Sequence, residues 1–225
     1  MGPEISLQNA QAPTPALLVR LLGRFGPIIA ITAVCWVAFV FNNLIGNGHL
    51  SSHGIIPRRI SGLPGILWAP FLHGSFRHLL ANTVPLLVLG GILCARSKAE
   101  FWLVTIGGIL LGGSLTWLLA RTADHIGASG LIFCFFGYLA SLAYFRRTFG
   151  TLLLSVICVL GYGGILRGLL PISAAISWES HVAGLIAGIA LGWLAARASR
   201  TNGEVAKSPL PPDIAQRDKA SRPRI

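Results

Sequence analysis

The chain has 225 residues, of which 53% are hydrophobic and only 11% are charged, and its mean hydropathy is +0.70. Soluble globular proteins carry roughly 25% charged residues, so this composition excludes an ordinary soluble domain, a disordered chain and a disulfide-built secreted scaffold. The net charge is +11; six of the 18 basic residues lie in the C-terminal stretch 199–225, and the other twelve stand singly or in pairs between apolar runs. A phosphate-binding face would cluster them, so we predict no nucleic-acid partner.

Six uncharged apolar stretches are each long enough, at about 17 to 25 residues, to cross a bilayer as a helix. In chain order they cover residues 27–45, 78–95, 101–120, 126–145, 148–166 and 180–196. Lipid forces each element to satisfy its own backbone hydrogen bonds, and none of these runs alternates as a barrel strand would. We therefore predict an all-α, polytopic membrane protein with a six-helix bundle.

The basic residues predict the orientation of this bundle. If the N-terminus is cytoplasmic, thirteen Lys and Arg residues fall on the inner side and five on the outer side. Because cytoplasmic loops carry the excess of basic residues, both termini are expected inside. The expected parts are a cytoplasmic N-terminal segment at 1–24, a six-helix domain at 25–198 and a disordered basic cytoplasmic tail at 199–225.

Two outer loops have features of functional segments. The first, 46–77, is far longer than a usual helix-to-helix connection, and its prolines and aromatic residues indicate an ordered loop in the headgroup region. The second, 167–178, precedes the last helix and is a candidate lid. We expect His125 beside Asp124 to be a solvated turn pair, and Glu179 to be solvated or bonded to a loop.

Four polar residues from three predicted helices reach a similar depth below the outer face. His78 and Asn82 share one face of the second helix, Ser129 opens the fourth and His181 lies about one turn into the sixth. A serine hydroxyl becomes a nucleophile when a histidine takes its proton, and amide and imidazole N–H groups can stabilise an oxyanion. No acid lies at that depth, so we predict a Ser-His dyad.

Small residues would allow the fourth and sixth helices to approach each other. Gly184, Gly188 and Gly192 form one stripe beneath the histidine. Stripes of this kind let helix backbones pack closely.

These residues resemble the rhomboid family of intramembrane serine proteases over about 25–198. The resemblance rests on His78-x-x-x-Asn82, on Gly127-x-Ser129-Gly130 and on the glycines that follow His181. It implies that Ser129 is the nucleophile and His181 the general base and acid, and that His78 and Asn82 contribute to the oxyanion hole. It also implies supporting roles for Gly127, Gly130, Phe133, Gly184 and Gly188, with Phe133 stacking on His181.

The chain departs from the family pattern in two ways. The Trp-Arg pair of the first outer loop is absent at its expected position, where Pro64 and Gly65 stand, so the anchoring of that loop needs another explanation. The aromatic residue after the serine, often Tyr in the family, is Phe133.

One further residue matches the family: His73 stands where many members carry an additional histidine.

The predicted function is hydrolysis of peptide bonds in transmembrane protein substrates near the outer membrane face. The lipid bilayer is the other expected partner, and we expect neither a cofactor nor a metal. The alternative is a non-catalytic binder of membrane helices or a proton-coupled transporter that uses the intramembrane histidines. No transit sequence is visible, so a bacterial plasma membrane is the expected location.

Overall fold

The computed structural model describes residues 15–46, 48–173 and 176–207, with side chains described between 19 and 201. Within these residues there are six helices long and apolar enough to cross a membrane, and no β-strand. We label them α1 (Pro15–Leu44), α2 (Phe76–Arg96), α3 (Lys98–Leu119), α4 (Ser129–Arg146), α5 (Phe149–Tyr162) and α6 (Trp178–Lys207); the span that contains α5 continues through the 3₁₀ helix Gly163–Leu169. The all-α, six-helix prediction is confirmed.

The first and last helices of the chain extend beyond their predicted ends. Helix α1 begins at Pro15 and not at 27, because the segment around Arg24 continues the helix and its guanidinium donates to the carbonyl of Ala95 at the end of α2. The first fourteen residues of the predicted N-terminal segment lie outside the described residues.

The predicted disordered tail starts too early. Helix α6 continues through residues 199–207, where Arg200 donates to the carbonyl of Phe145 at 2.8 Å and Ser199 to that of Ala195. The Arg200 bond takes a carbonyl at the C-terminal end of α4 and so joins α6 to α4 beyond residue 198. The remainder of the predicted tail, 208–225, lies outside the described residues.

Helix α4 lies at the centre of the bundle. More than half of it is buried (56%), against 17% of the segment formed by α5 and the 3₁₀ helix Gly163–Leu169 that follows it. Its most extensive contact is with α6. A helix that is apolar all round is typical of such a central position. Because α4 is central, both of its ends lie against several neighbouring elements.

Helix α3 contains a π-helical segment, Gly108–Gly112, near its middle. The backbone there passes close to its neighbours: a Cβ on Gly108 would lie 2.7 Å from the sulfur of Cys134 in α4. All four cysteines are free and buried.

The long first loop is ordered over its described residues from 48 onward, as predicted. It forms four short helical turns: His49–Ser52, Ile60–Gly62, Gly65–Trp68 and Ala69–Phe71. Its two arms touch through backbone at Gly54 and Gly65, where a Cβ on Gly65 would lie 2.0 Å from the Gly54 carbonyl oxygen. The loop is therefore a folded unit against the bundle.

Arg58 supplies the anchor that the missing Trp-Arg pair left unexplained. Its guanidinium donates to the carbonyls of Ala120 at 2.7 Å and Leu118 at 3.2 Å, and its backbone N–H donates to Trp117 O at 3.0 Å. The indole N–H of Trp117 in turn donates to Arg59 O at 2.9 Å. A guanidinium that takes the last carbonyls of a helix satisfies acceptors that have no partner within the helix. The loop is thereby fixed to the end of α3.

Candidate active site

Ser129 and His181 are hydrogen-bonded across α4 and α6. His181 Nε2 lies 2.8 Å from Ser129 Oγ, within the range expected of a nucleophile and its base. Ser129 is the first residue of α4, and His181 lies in the first turn of α6, where it is 8% exposed. Ser129 is only partly buried.

A backbone carbonyl orients the histidine. Gly168, in the 3₁₀ helix that follows α5, places its oxygen 2.8 Å from His181 Nδ1. A carbonyl only accepts, so Nδ1 carries the proton and Nε2 is free to accept from the serine hydroxyl. The carbonyl takes the orienting position that a carboxylate occupies in a Ser-His-Asp triad.

The His181 ring also stacks on Phe133. The ring centroids are 4.5 Å apart and the planes differ by 10°, so the imidazole is held from its face as well as its edge. Phe133 lies one turn along α4 from Ser129, and both partners of the dyad are thus fixed by the same helix.

Glycines bring the two helices to this distance. A Cβ on Gly184 would lie 2.0 Å from the Gly130 carbonyl oxygen, and one on Gly188 would lie 2.1 Å from that of Cys134. Either contact is far below a van der Waals distance, so the α4–α6 contact depends on hydrogen at these positions.

His78, Asn82 and His73 surround the residues just before the serine. Gly127 has φ +114°, a conformation that favours glycine, and a Cβ there would lie 2.6 Å from His78 Nε2 and 3.4 Å from Asn82 Nδ2. The Asn82 amide also lies 3.0 Å from His73 Nε2. An amide has two N–H donors, so one remains for a ligand beside Ser129.

His73 acts as an acceptor in this cluster. Its Nε2 accepts from the Ala128 backbone N–H at 3.4 Å as well as facing the Asn82 amide, which requires an unprotonated Nε2. Burial, with the neighbouring His78 adding to it, lowers the pKa of His73 to about 4. The ring is therefore neutral at neutral pH, as its two donors require.

Comparisons with known proteins show which family the chain belongs to. A Rhomboid domain model matches residues 62–198. The chain belongs to the rhomboid family. An uncharacterised protein of Mycobacterium bovis is 35% identical over 176 residues, which cover 74% of this chain and 73% of that protein.

Two further relatives come from different organisms. An uncharacterised protein of Mycobacterium leprae is 34% identical over 176 residues, covering 74% of this chain and 69% of that protein. RHOMBOID-like protein 5 of Arabidopsis thaliana is 31% identical over 137 residues, covering 55% of this chain and 41% of that protein. With its six apolar helices, this rhomboid is an integral, multi-pass membrane protein.

In this rhomboid the first loop holds the segment that leads to the serine. Ile55 and His125 exchange two backbone hydrogen bonds of 3.0 Å, and the Gly127 N–H donates to Ala69 O at 2.8 Å. The loop thus fixes the four residues before Ser129, which sets where α4 begins.

The prediction that His125 is solvated is wrong. The residue is 2% exposed, with Nε2 2.9 Å from Arg121 O and Nδ1 bonded to the hydroxyl of Ser177. Neighbouring Arg121 forms an ion pair with Glu179 at 3.1 Å and donates to Ile176 O. We call His125, Arg121, Ser177 and Glu179 the clasp. It joins the segment before Ser129 to the start of the helix that carries His181.

Sequence reasoning missed the roles of Gly168, His125 and Ser177, whereas the expectation that Glu179 is solvated or bonded to a loop is met by its bond to Arg121. A backbone carbonyl is present at every residue, so no pattern singles out Gly168 as the partner of His181. The prediction for His125 rests on its polar neighbours in a short loop, and the burial of that loop under residues 54–70 has no local signal. Glu179 could have been paired with Arg121, since both flank the predicted outer ends of helices.

Proposed function

We propose that this rhomboid is a serine protease that cleaves transmembrane protein substrates through a Ser129–His181 dyad. The single observation that carries the proposal is the 2.8 Å contact between Ser129 Oγ and an Nε2 that the Gly168 carbonyl leaves unprotonated. A merely structural serine of a membrane helix bonds to its own helix carbonyls instead, as Ser141 does with Tyr138 O.

Acylation begins when His181 Nε2 takes the Ser129 proton as Oγ bonds to the substrate carbonyl carbon. The imidazolium then gives this proton to the leaving amine as the C–N bond breaks, and an ester with Ser129 remains. Water attacks the ester, its proton passes to His181, and the return of that proton to Oγ frees the acid product. Phe133 and Gly168 keep the ring in place through both steps.

The developing oxyanion would be stabilised by the free N–H of Asn82, by the His78 ring and by the backbone N–H of Ser129. Donors of this type contribute about 3 to 4 kcal/mol each when aimed at the oxyanion. His73 accepts from the other side of the Asn82 amide and so fixes which way it points.

The substrate segment must be extended at the cleavage site. A hydrogen-bonded helix shields its carbonyl carbons, so residues of low helix propensity, such as Gly or Pro, near the cut should favour cleavage. The dyad lies at one end of the bundle, at the first residue of α4; the distribution of basic residues predicts that this end faces outward.

The test is cleavage of a reconstituted transmembrane substrate together with labelling by a fluorophosphonate. We expect Ser129→Ala and His181→Ala each to lower the rate by roughly 10⁴-fold or more, and His181→Ala to abolish labelling. Ser141→Ala is the matched control on the same helix and should keep full activity. Full activity in either dyad variant, or a folded wild type that neither cleaves nor labels, would favour a non-catalytic binder instead.

A further inference from the structure

A second site lies at the end of the bundle far from the dyad. It is a cleft of about 380 Å³ between the C-terminal end of α4 and residues 193–200 of α6. Ser129 and Arg146 stand at opposite ends of α4, which at 1.5 Å per residue is about 27 Å long. The cleft therefore takes no part in the proposed hydrolysis, and its ligand can be inferred independently of that reaction.

Three arginines line this cleft: Arg147, Arg197 and Arg200. The described residues that line it include no acid. Three guanidinium groups around one concave surface repel each other unless an anion lies between them. The cleft thus has the charge of a site for an anionic group.

Two of these guanidinium groups are held in place by aromatic rings and the backbone. Arg147 has φ +52°, a conformation uncommon outside glycine, which turns its side chain back so that Nε donates to Tyr144 O at 3.3 Å and the guanidinium lies 5.8 Å from that ring. The guanidinium of Arg197 lies 5.5 Å from the Trp193 ring. Part of the ordering cost of binding is thus met before a ligand arrives.

The remaining wall points to a lipid as the source of the anion. Trp193 and Tyr144 are 46% and 70% exposed, and the apolar side chains of Ile186, Ile189 and Leu194 are exposed along α6 before the arginines. Trp and Tyr with arginines at the ends of spanning helices mark the level of the lipid headgroups, and basic pockets between such helices bind anionic headgroups. A guanidinium fork also matches phosphate oxygens in pairs.

We propose that this cleft binds the phosphate group of an anionic phospholipid, with Arg147 and Arg197 as the principal contacts. Arg200 donates to Phe145 O at 2.8 Å and contributes mainly as part of the wall and as charge. The acyl chains would lie along the apolar surface beside Trp193.

The experiment uses the full chain reconstituted in vesicles of phosphatidylcholine with one fifth phosphatidylglycerol, followed by native mass spectrometry of the retained lipid. We expect the wild type to retain phosphatidylglycerol selectively and Arg147→Gln/Arg197→Gln to lose about 25-fold in retention, since each charge near an anionic lipid contributes about fivefold. Arg20→Gln/Lys98→Gln is the matched control, because it removes two charges outside the cleft.

Two further arms distinguish the contact geometry and the source of the phosphate. Arg147→Lys/Arg197→Lys keeps the charge but loses the guanidinium fork, and should retain less lipid than the wild type. Glycerol 3-phosphate added to lipid-free protein tests a soluble ligand; stabilisation by it that depends on Arg147 and Arg197 would support the phosphate site but overturn the lipid as its occupant. The proposal would be overturned if Arg147→Gln/Arg197→Gln retained as much phosphatidylglycerol as the wild type. It would also be overturned if that variant and the control Arg20→Gln/Lys98→Gln retained equal amounts.

Discussion

At the scale of single residues, the sequence predicted the candidate catalytic side chains but not the groups that orient them. Ser129, His181, His78 and Asn82 follow from motif and helix spacing, and the structure brings them together at one end of the bundle. The orientation of His181 comes from a peptide carbonyl, which has the same chemistry at every position. A carbonyl carries no net charge, so it holds the tautomer without requiring a buried acid in a membrane protein.

Gly168→Ala should lower kcat by roughly tenfold and leave KM nearly unchanged, because a misplaced base affects the chemical step. A Cβ at this position would lie 3.0 Å from His181 Nδ1 and 3.2 Å from Phe133 Cζ, so the ring must shift. Gly164→Ala in the same segment is the control, since its Cβ meets nothing within 4 Å. Steady-state kinetics on the reconstituted substrate measure both, and equal kcat values in the two variants would contradict this role of Gly168.

His73 predicts a pH dependence of stability. Its pKa is about 4 in the folded protein against an ordinary value of 6.5, so the unfolded chain binds the proton more readily. This difference in pKa contributes to the free energy of unfolding. The contribution is fully present above pH 6.5 and is lost as the pH falls toward 4. Between about pH 7.5 and 5 the free energy of unfolding falls by about 2 kcal/mol from this cause. The free energies of unfolding measured at these two pH values should therefore differ less in His73→Gln than in the wild type. The same difference in both proteins would show that His73 does not titrate in this way.

At the scale of elements, the sequence predicts which segments form the spanning helices but not the residues at which those helices begin and end. Apolar runs bounded by charge located all six spans, because the bilayer requires about 20 apolar residues whatever the packing. The ends depend on tertiary partners: Arg24 and Arg200 bond carbonyls of other helices, and Gly127 at φ +114° delays the start of α4 to Ser129. Such partners are distant in sequence and leave no local pattern.

The contact between α4 and α6 gives a prediction about Gly184. Gly184→Ala would place a methyl group against the Gly130 carbonyl, so the helices must separate, at a cost of about 1 to 3 kcal/mol, and the Ser129–His181 bond must lengthen. We expect lower stability and a large loss of cleavage. Gly91→Ala in α2 meets nothing within 4 Å and should be neutral or slightly stabilising. Similar effects of the two substitutions would contradict a packing role specific to Gly184.

The clasp predicts energetic coupling between the segments that lead into α4 and α6. Ser177→Ala leaves the buried Nδ1 of His125 without its partner, which should cost about 1 to 3 kcal/mol of stability and reduce kcat. A double-mutant cycle with His125→Ala should give a coupling energy above about 0.5 kcal/mol. Ser52→Ala, on an exposed hydroxyl of the first loop, is the control. Strict additivity would show that the clasp residues act independently.

At the scale of the whole molecule, the few charges gather at the two ends of the bundle. The clasp and Arg58 fix the end that carries the dyad, and Glu100 fixes the other. The sequence predicted these positions as an orientation signal, and the cytoplasmic assignment of both termini stays a prediction. It did not predict that the same charges join helices, because pairing depends on which helix ends are neighbours in the bundle.

Substitution of Glu100 tests whether the end of the bundle remote from the dyad stabilises the molecule without contributing to catalysis. Its carboxylate bonds Arg96 Nε at 2.9 Å and Arg146 Nη2 at 2.6 Å, which joins the ends of α2, α3 and α4. Glu100→Gln leaves two partly buried guanidinium groups without their counter-charge and should cost about 2 to 3 kcal/mol. Adding Arg146→Gln should restore part of this loss, since the repulsion disappears. Because α3 separates this cluster from the dyad by about 30 Å, kcat of the folded fraction should stay unchanged while the unfolding midpoint falls. A fall in kcat at a temperature where the variant is fully folded would instead show that the two ends of the bundle are coupled.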